Sequence, residues 1–130
     1  MSRASSALDE AKAYLRSAKS SLDAGDEGPC ISNLFYVLEH LANILKDARN
    51  GQATRSHDEK QRVLRRAYSE GSITSAELKA CNRIYNLRVM AQQHPYTGVK
   101  GRTPWNPGEV EKLYEVVGGL LKKTEERLSG

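Results

Sequence analysis

No uninterrupted apolar run in the 130 residues is long enough to cross a bilayer, and the opening segment Met1 to Glu10 has no apolar stretch of the kind that directs secretion. A cytoplasmic protein that makes no membrane contact is expected from these two absences. The chain is also poor in cysteine. Cys30 and Cys81 stand far apart without C-x-x-C spacing, which argues against a disulfide framework and a zinc site. The three histidines, His40, His57 and His94, include no two at ligand spacing on one helix face. No zinc or iron site, and no cofactor, is therefore expected. A glycine-rich phosphate loop and a strained nucleophile elbow are missing as well, so most common enzyme classes lose their main support. No segment signals a sheet.

What is present fits one globular helical domain spanning residues 1–130. Hydrophobic residues make up 38% and charged residues 28% of the chain, and both signs alternate along it, which argues against wholesale disorder. A chain of this length can bury a core without disulfide or metal support. Twenty Lys and Arg against sixteen Asp and Glu leave a net charge of +4, a mild excess that tolerates a polyanionic partner without demanding one.

Apolar spacing predicts an all-α architecture, a four- to five-helix up-and-down bundle. Ala4, Leu8, Ala11, Leu15, Ala18 and Leu22 alternate at intervals of three and four, so the first helix is expected from Ser6 to Asp23. Ala24 to Gly28 breaks it, and Pro29 suits the first turn of a second helix. That helix has an apolar stripe of Ile31, Leu34, Leu38, Leu41, Leu45 and Ala48, widened by Phe35, Val37, Ala42 and Ile44, and is expected to be central. Cys30 lies near its start, where a helix field can lower a thiol pKa; a small buried hydrophobe is the favoured role.

Two capping boxes, Ser56 to Glu59 and Thr74 to Glu77, open the third and fourth helices. The third is expected to run to about Glu70 with Val63, Leu64, Ala67 and Tyr68 inward, stopped by Gly71. The fourth has Leu78, Cys81, Ile84, Tyr85, Leu87 and Ala91, and Pro95 ends it at about Gln93. A loop is expected from His94 to Trp105. A fifth helix opens at Asn106 to Glu109 and continues with Val110, Leu113, Val117, Leu120, Leu121, Thr124 and Leu128. Gly118 and Gly119 in its middle cost about 2 kcal/mol of helix propensity, which close helix packing there is expected to offset.

Chemistry concentrates at the end of the fourth helix, where Arg88 is followed six positions later by His94 and two beyond that by Tyr96. Arginine holds a phosphate through a planar fork of donors, and histidine moves a proton near neutral pH, a combination suited to phosphodiester chemistry. The structural alternative is a salt-bridged Arg88 and a His94 that favours the negative end of the helix dipole. Six residues separate the two side chains by about 120° around a helix and about 9 Å along it. A composite site is easier where two copies of this helix meet at a two-fold axis, and a homodimer is predicted on that ground. Glu39 and His40 interrupt the apolar second helix and need a partner or a water-filled cleft. Arg62, Arg65 and Arg66, with Arg55, Lys60, Lys100 and Arg102 nearby, make either a solvated face or a nucleic-acid track. Tyr96 and Trp105 either stack on bases or pin the loop to the core.

The segment Arg16 to Leu45, followed by Ser56 and His57 and then Arg88 to Tyr96, resembles the HEPN domain (higher eukaryotes and prokaryotes nucleotide-binding), over about residues 6–128. The family's motif is an Arg, four to six residues, then a His, often with a Tyr two positions later; Arg88, His94 and Tyr96 match it. The resemblance implies a dimerising helical bundle that is either a metal-independent RNase or a nucleotide-binding partner of a nucleotidyltransferase in toxin–antitoxin pairs. It further implies that Arg88 holds the scissile phosphate and that His94 is the acid or base in attack by the RNA 2′-hydroxyl. Tyr96 then supports the site or is modified by the partner enzyme, and Glu39 or His40 supplies a polar group facing the cleft. Val89 follows Arg88 where active members usually have a polar residue, so a non-catalytic nucleotide-binding or protein-interaction module is the alternative.

Overall fold

The protein is described here by a computed structural model covering residues 3–47, 56–93 and 103–129, with side chains over 6–46, 56–89 and 103–129. The described residues form five helices: α1 (Arg3–Asp23), α2 (Glu27–Asp47), α3 (His57–Ser69), α4 (Ser75–Gln93) and α5 (Glu109–Ser129). Among the described residues there is no strand, and no helix is long and apolar enough to cross a membrane. The expected all-α bundle is what the described residues build, at the upper of the two helix counts.

The helices begin and end on local chemistry. Gly25, at φ 80°, closes α1: Asp26 N–H reaches back to Ser21 C=O at 2.8 Å and Gly25 N–H to Leu22 C=O at 3.1 Å. Gly71 closes α3 the same way, with Ser72 N–H on Ala67 C=O and Gly71 N–H on Tyr68 C=O. Both are paired C-terminal bonds that satisfy otherwise orphaned carbonyls and require a left-handed residue. Ser56 Oγ accepts the Glu59 N–H at 3.2 Å to open α3. At α4 the box is fully reciprocal, Glu77 N–H to Thr74 Oγ1 and Thr74 N–H to Glu77 Oε1. Pro29 stands in the first turn of α2, where its missing N–H leaves no helix bond unmade.

Packing follows the breadth of each apolar face. α2 contacts all four other helices, and Ile31, Leu34, Phe35, Val37, Leu38, Leu41, Ala42 and Ile44 are all buried along it. Its expected central place is thereby realised; Ala48 lies outside the described residues, as do the side chains of Ala4 and Ala91. Both cysteines are buried, and burial pushes each thiol up to about 12, with Glu27 adding to the effect at Cys30 and Glu77 at Cys81. Helix-start activation of Cys30 is overridden by desolvation.

Three expectations about the core are corrected. Tyr68 is 44% exposed, because the inward line of α3 runs through Lys60, Leu64 and Ala67, and Val63 is only partly buried beside it. Leu128 is 42% exposed, in the last turn of α5 beyond Thr124, the last buried residue of that helix. The close packing expected at Gly118 and Gly119 does not occur. Among the described residues a Cβ at Gly118 would meet Leu15 Cδ2 at an ordinary 3.9 Å, and a Cβ at Gly119 would meet nothing within 4 Å.

Candidate functional site

Two pairs of neighbours on α2 diverge by a helical step. Phe35 and Glu39, four apart, share one face turned to α3 and α4; Tyr36 and His40, one residue on from each, turn toward α1. The first pair organises the charged groups of the site.

Glu39 is 5% exposed, and three donors from two other helices converge on it. His57 Nδ1 makes a close bond to Oε1, Lys60 Nζ lies 3.3 Å from the same oxygen, and the Tyr85 hydroxyl donates to Oε2 at 2.9 Å. A buried carboxylate is tolerable only when paired and hydrogen-bonded. The Lys60 ammonium meets that need, and Tyr85 remains a donor because burial first, and the adjacent Glu39 carboxylate second, drive its hydroxyl pKa far upward. His57 is placed by the Ser56 cap as the first residue of α3. Its side chain is 58% exposed, so it is the member of the cluster that meets solvent.

Arg88 approaches the same region from α4. Its Cζ lies 4.0 Å from the centre of the Phe35 ring and 5.6 Å from that of Tyr36, a cation–π setting that fixes the guanidinium. Nη2 donates to the Tyr36 hydroxyl at 3.4 Å, a long bond. Nε is buried without a hydrogen-bond partner among the described residues, and no described carboxylate is paired with this arginine. Phe35 is in contact with each of the others: the His57 ring is 5.5 Å from it and Tyr85 meets it edge-on at 5.3 Å.

His40 lies apart from this cluster. Its Nε2 is 3.2 Å from Glu10 and its ring stacks on Tyr14 at 5.5 Å, with Tyr14 stacked in turn on Tyr36 at 5.1 Å. Burial lowers the His40 pKa, against the opposing pull of Glu10. Of the two polar residues expected to face a cleft, Glu39 joins Arg88 around Phe35, and His40 is a partnered histidine at the α1–α2 edge. A hollow of about 330 Å³ opens nearby on α1, but its lining includes Glu10, a poor neighbour for a phosphate.

His94 and Tyr96 lie outside the described residues, as do Arg55, Lys100 and Arg102. Arg62, Arg65 and Arg66 are exposed on α3, whereas Lys60 turns inward to Glu39 and leaves that basic stretch. Trp105 is buried and pins the segment before α5 to the core. Among the described residues no three His, Cys, Asp or Glu side chains group as a metal site.

His57, Lys60 and Tyr85 are the members that sequence reasoning did not assign to the site. A glutamate inside an apolar helix signals that partners must exist, but these stand 18, 21 and 46 residues away along the chain. No local pattern names them. No protein-family model matches the chain, and no curated protein matches it.

Proposed function

We propose that the protein binds RNA at the Arg88 end of α4 and cleaves it as a metal-independent ribonuclease of HEPN type, working as a homodimer. The observation that supports this most is the setting of Arg88: a guanidinium held by two aromatic rings, with no described carboxylate to neutralise it. Such a group has donors and charge to offer an anion. Arginine matches a phosphate in two-point geometry, and fixing it in advance removes part of the ordering cost of binding.

In this reading Arg88 grips the scissile phosphate and stabilises charge that builds on it. His94 transfers a proton during attack by the 2′-hydroxyl, and Tyr96 supports the site. Apolar surface beside Arg88, with Val89 54% exposed and Tyr36 also exposed, suits the approach of a second copy that would bring two arginines to one cleft.

The test is cleavage of single-stranded RNA in EDTA. Arg88→Ala and His94→Ala are each expected to abolish it with helical circular dichroism unchanged, and intact RNA after prolonged incubation with the wild type refutes the reading. Scattering at micromolar concentration is expected to give twice the chain mass.

Val89 favours a second reading, because an apolar residue beside the arginine is better suited to contact than to chemistry. The protein would then be a nucleotide-binding or interaction module that partners a nucleotidyltransferase. Stable co-purification with such an enzyme, or modification of Tyr96, without any RNA cleavage, would select it.

A further inference from the structure

We propose that His57, held by the buried Glu39 carboxylate, is the general base that takes the proton of the attacking RNA 2′-hydroxyl beside Arg88. The inference rests on the ribonuclease reading and adds to it a catalytic group contributed by α3 rather than by the end of α4.

A side-chain imidazole works as a base when one nitrogen is tethered and the other is open to the substrate. Glu39 accepts from Lys60 and Tyr85, so its oxygens act as acceptors, and the bond to His57 Nδ1 then has the imidazole donating. The proton on Nδ1 leaves the Nε2 lone pair free. Nε2 has no partner among the described residues, and the side chain is 58% exposed, while Glu39, Lys60 and Tyr85 are all buried. A buried acid behind a solvent-facing imidazole holds the ring in one tautomer and stabilises the imidazolium formed when it accepts a proton.

Charge balance does not account for His57. The Lys60 ammonium already compensates the Glu39 carboxylate, so a half-exposed imidazole is not needed to neutralise it. Position gives the rest. The Arg88 Cζ and the His57 ring are 4.0 Å and 5.5 Å from the centre of the one Phe35 ring, so they cannot be farther apart than those two distances laid end to end. One nucleotide step spans a gap of that order, with its phosphate at Arg88 and its 2′-hydroxyl toward His57.

The step balances as an internal transesterification. The 2′-hydroxyl proton passes to His57 Nε2, and the freed oxygen bonds to phosphorus. The bond from phosphorus to the 5′-oxygen breaks, and that oxygen takes a proton from the acid, the part that the ribonuclease reading then leaves to His94. His57 then returns its proton to solvent. The products are a 2′,3′-cyclic phosphate and a 5′-hydroxyl end.

The experiment compares wild type, His57→Ala, His57→Gln, Glu39→Gln and Arg88→Ala in single-turnover cleavage of single-stranded RNA in EDTA. Binding is measured in parallel on an uncleavable 2′-O-methyl copy. His57→Ala and His57→Gln are expected to slow cleavage by about 100-fold or more, with affinity for the uncleavable RNA held within about threefold and cleavage by His57→Ala partly restored by added imidazole. Glu39→Gln, a change in a positioning residue, is expected to slow cleavage by about tenfold and to leave binding intact. Should His57→Ala fold poorly, His57→Gln decides. Cleavage at the wild-type rate by either folded His57 variant, while Arg88→Ala is inactive, overturns the assignment and leaves the ribonuclease reading standing. An inactive wild type removes both.

Discussion

Arg83 and Arg88 stand five residues apart on α4, about 140° apart around its axis, and they meet opposite surroundings. Arg83 Nε donates to Glu109 Oε2 at 2.8 Å and Nη2 to Glu109 Oε1 at 3.0 Å, with a further bond from Nη2 to the Pro104 carbonyl at 3.2 Å. The same carboxylate accepts the Asn106 N–H at 3.0 Å at the start of α5. This arginine is consumed by the fold, clamping α4 to the turn that opens α5. Arg88 has two aromatic rings where Arg83 has an acid, and a buried Nε with no partner among the described residues. An arginine whose charge is already answered has little left for a ligand. One that is fixed but not answered retains it.

Exchanging the two arginines in turn for alanine is the direct way to break this comparison. Arg88→Ala is expected to lower RNA cleavage by about 100- to 1,000-fold with helical circular dichroism unchanged, whereas Arg83→Ala leaves cleavage unchanged. Equal activity loss in the two variants would mean that both act only through the fold.

A second pair of variants sharpens the contrast between ionic groups that serve the fold and those that serve a site. Glu39→Ala strands the buried Lys60 ammonium and is expected to cost about 3 kcal/mol in urea denaturation. Glu39→Leu combined with Lys60→Met should recover most of that stability but not the activity. Recovery of cleavage by the double variant would remove Glu39 from the site.

Smaller effects are expected on the Arg83 side. Arg83→Ala should cost about 1 kcal/mol, since the pair with Glu109 is two-pointed but partly solvated. Gly119→Ala should return about as much, because a helix-interior glycine there has free space for a methyl group. The smallest expected effect is on pH dependence. Glu109 has its pKa held below 4.5 chiefly by the bonds from Arg83. Its contribution is therefore present above pH 4.5 and is lost as pH falls through the lower folded value. Denaturation followed from pH 7 to pH 3 should show a shallower acid decline in Arg83→Ala than in wild type; identical slopes would detach the carboxylate's titration from Arg83. His40 acts at higher pH, because burial lowers its pKa from 6.5. Its unfolded form protonates first, so stability declines as pH falls from 6.5 toward the folded value, a decline that His40→Gln should remove.

Much of the fold was legible because its signals are local. The capping box at Thr74 and Glu77 forms both reciprocal bonds, and the apolar stripe of α2 is buried from Ile31 to Leu41, with Leu45 partly buried beyond it. Tyr68 shows where this legibility stops. A position next to a buried stripe is inward or outward according to how broad a neighbour covers it, and among the described helices α3 packs on α2 and α4. The glycine pair in α5 fails for the same reason: propensity registers the lost methyl group, but not whether another helix needs the space.

The site was legible in part. Arg88 and Glu39 stand out as residue types at odd places in their helices, and the structure brings both to Phe35. His57 appeared beside a cap and among the residues that resemble HEPN, without a role of its own, and His40, equally conspicuous in the sequence, is taken up by Glu10 and Tyr14.

By itself the sequence determined what depends on neighbours within about one helical turn: five amphipathic segments, their caps and glycine stops, and the presence of ionisable groups that demanded partners. Only the tertiary structure decided which partners those were. Pairing Glu39 with His57, Lys60 and Tyr85, and giving Arg83 an acid while Arg88 received aromatic rings, depends on how α2, α3, α4 and α5 pack. Contacts between residues distant along the chain are set by the joint burial of several faces, which no single segment encodes.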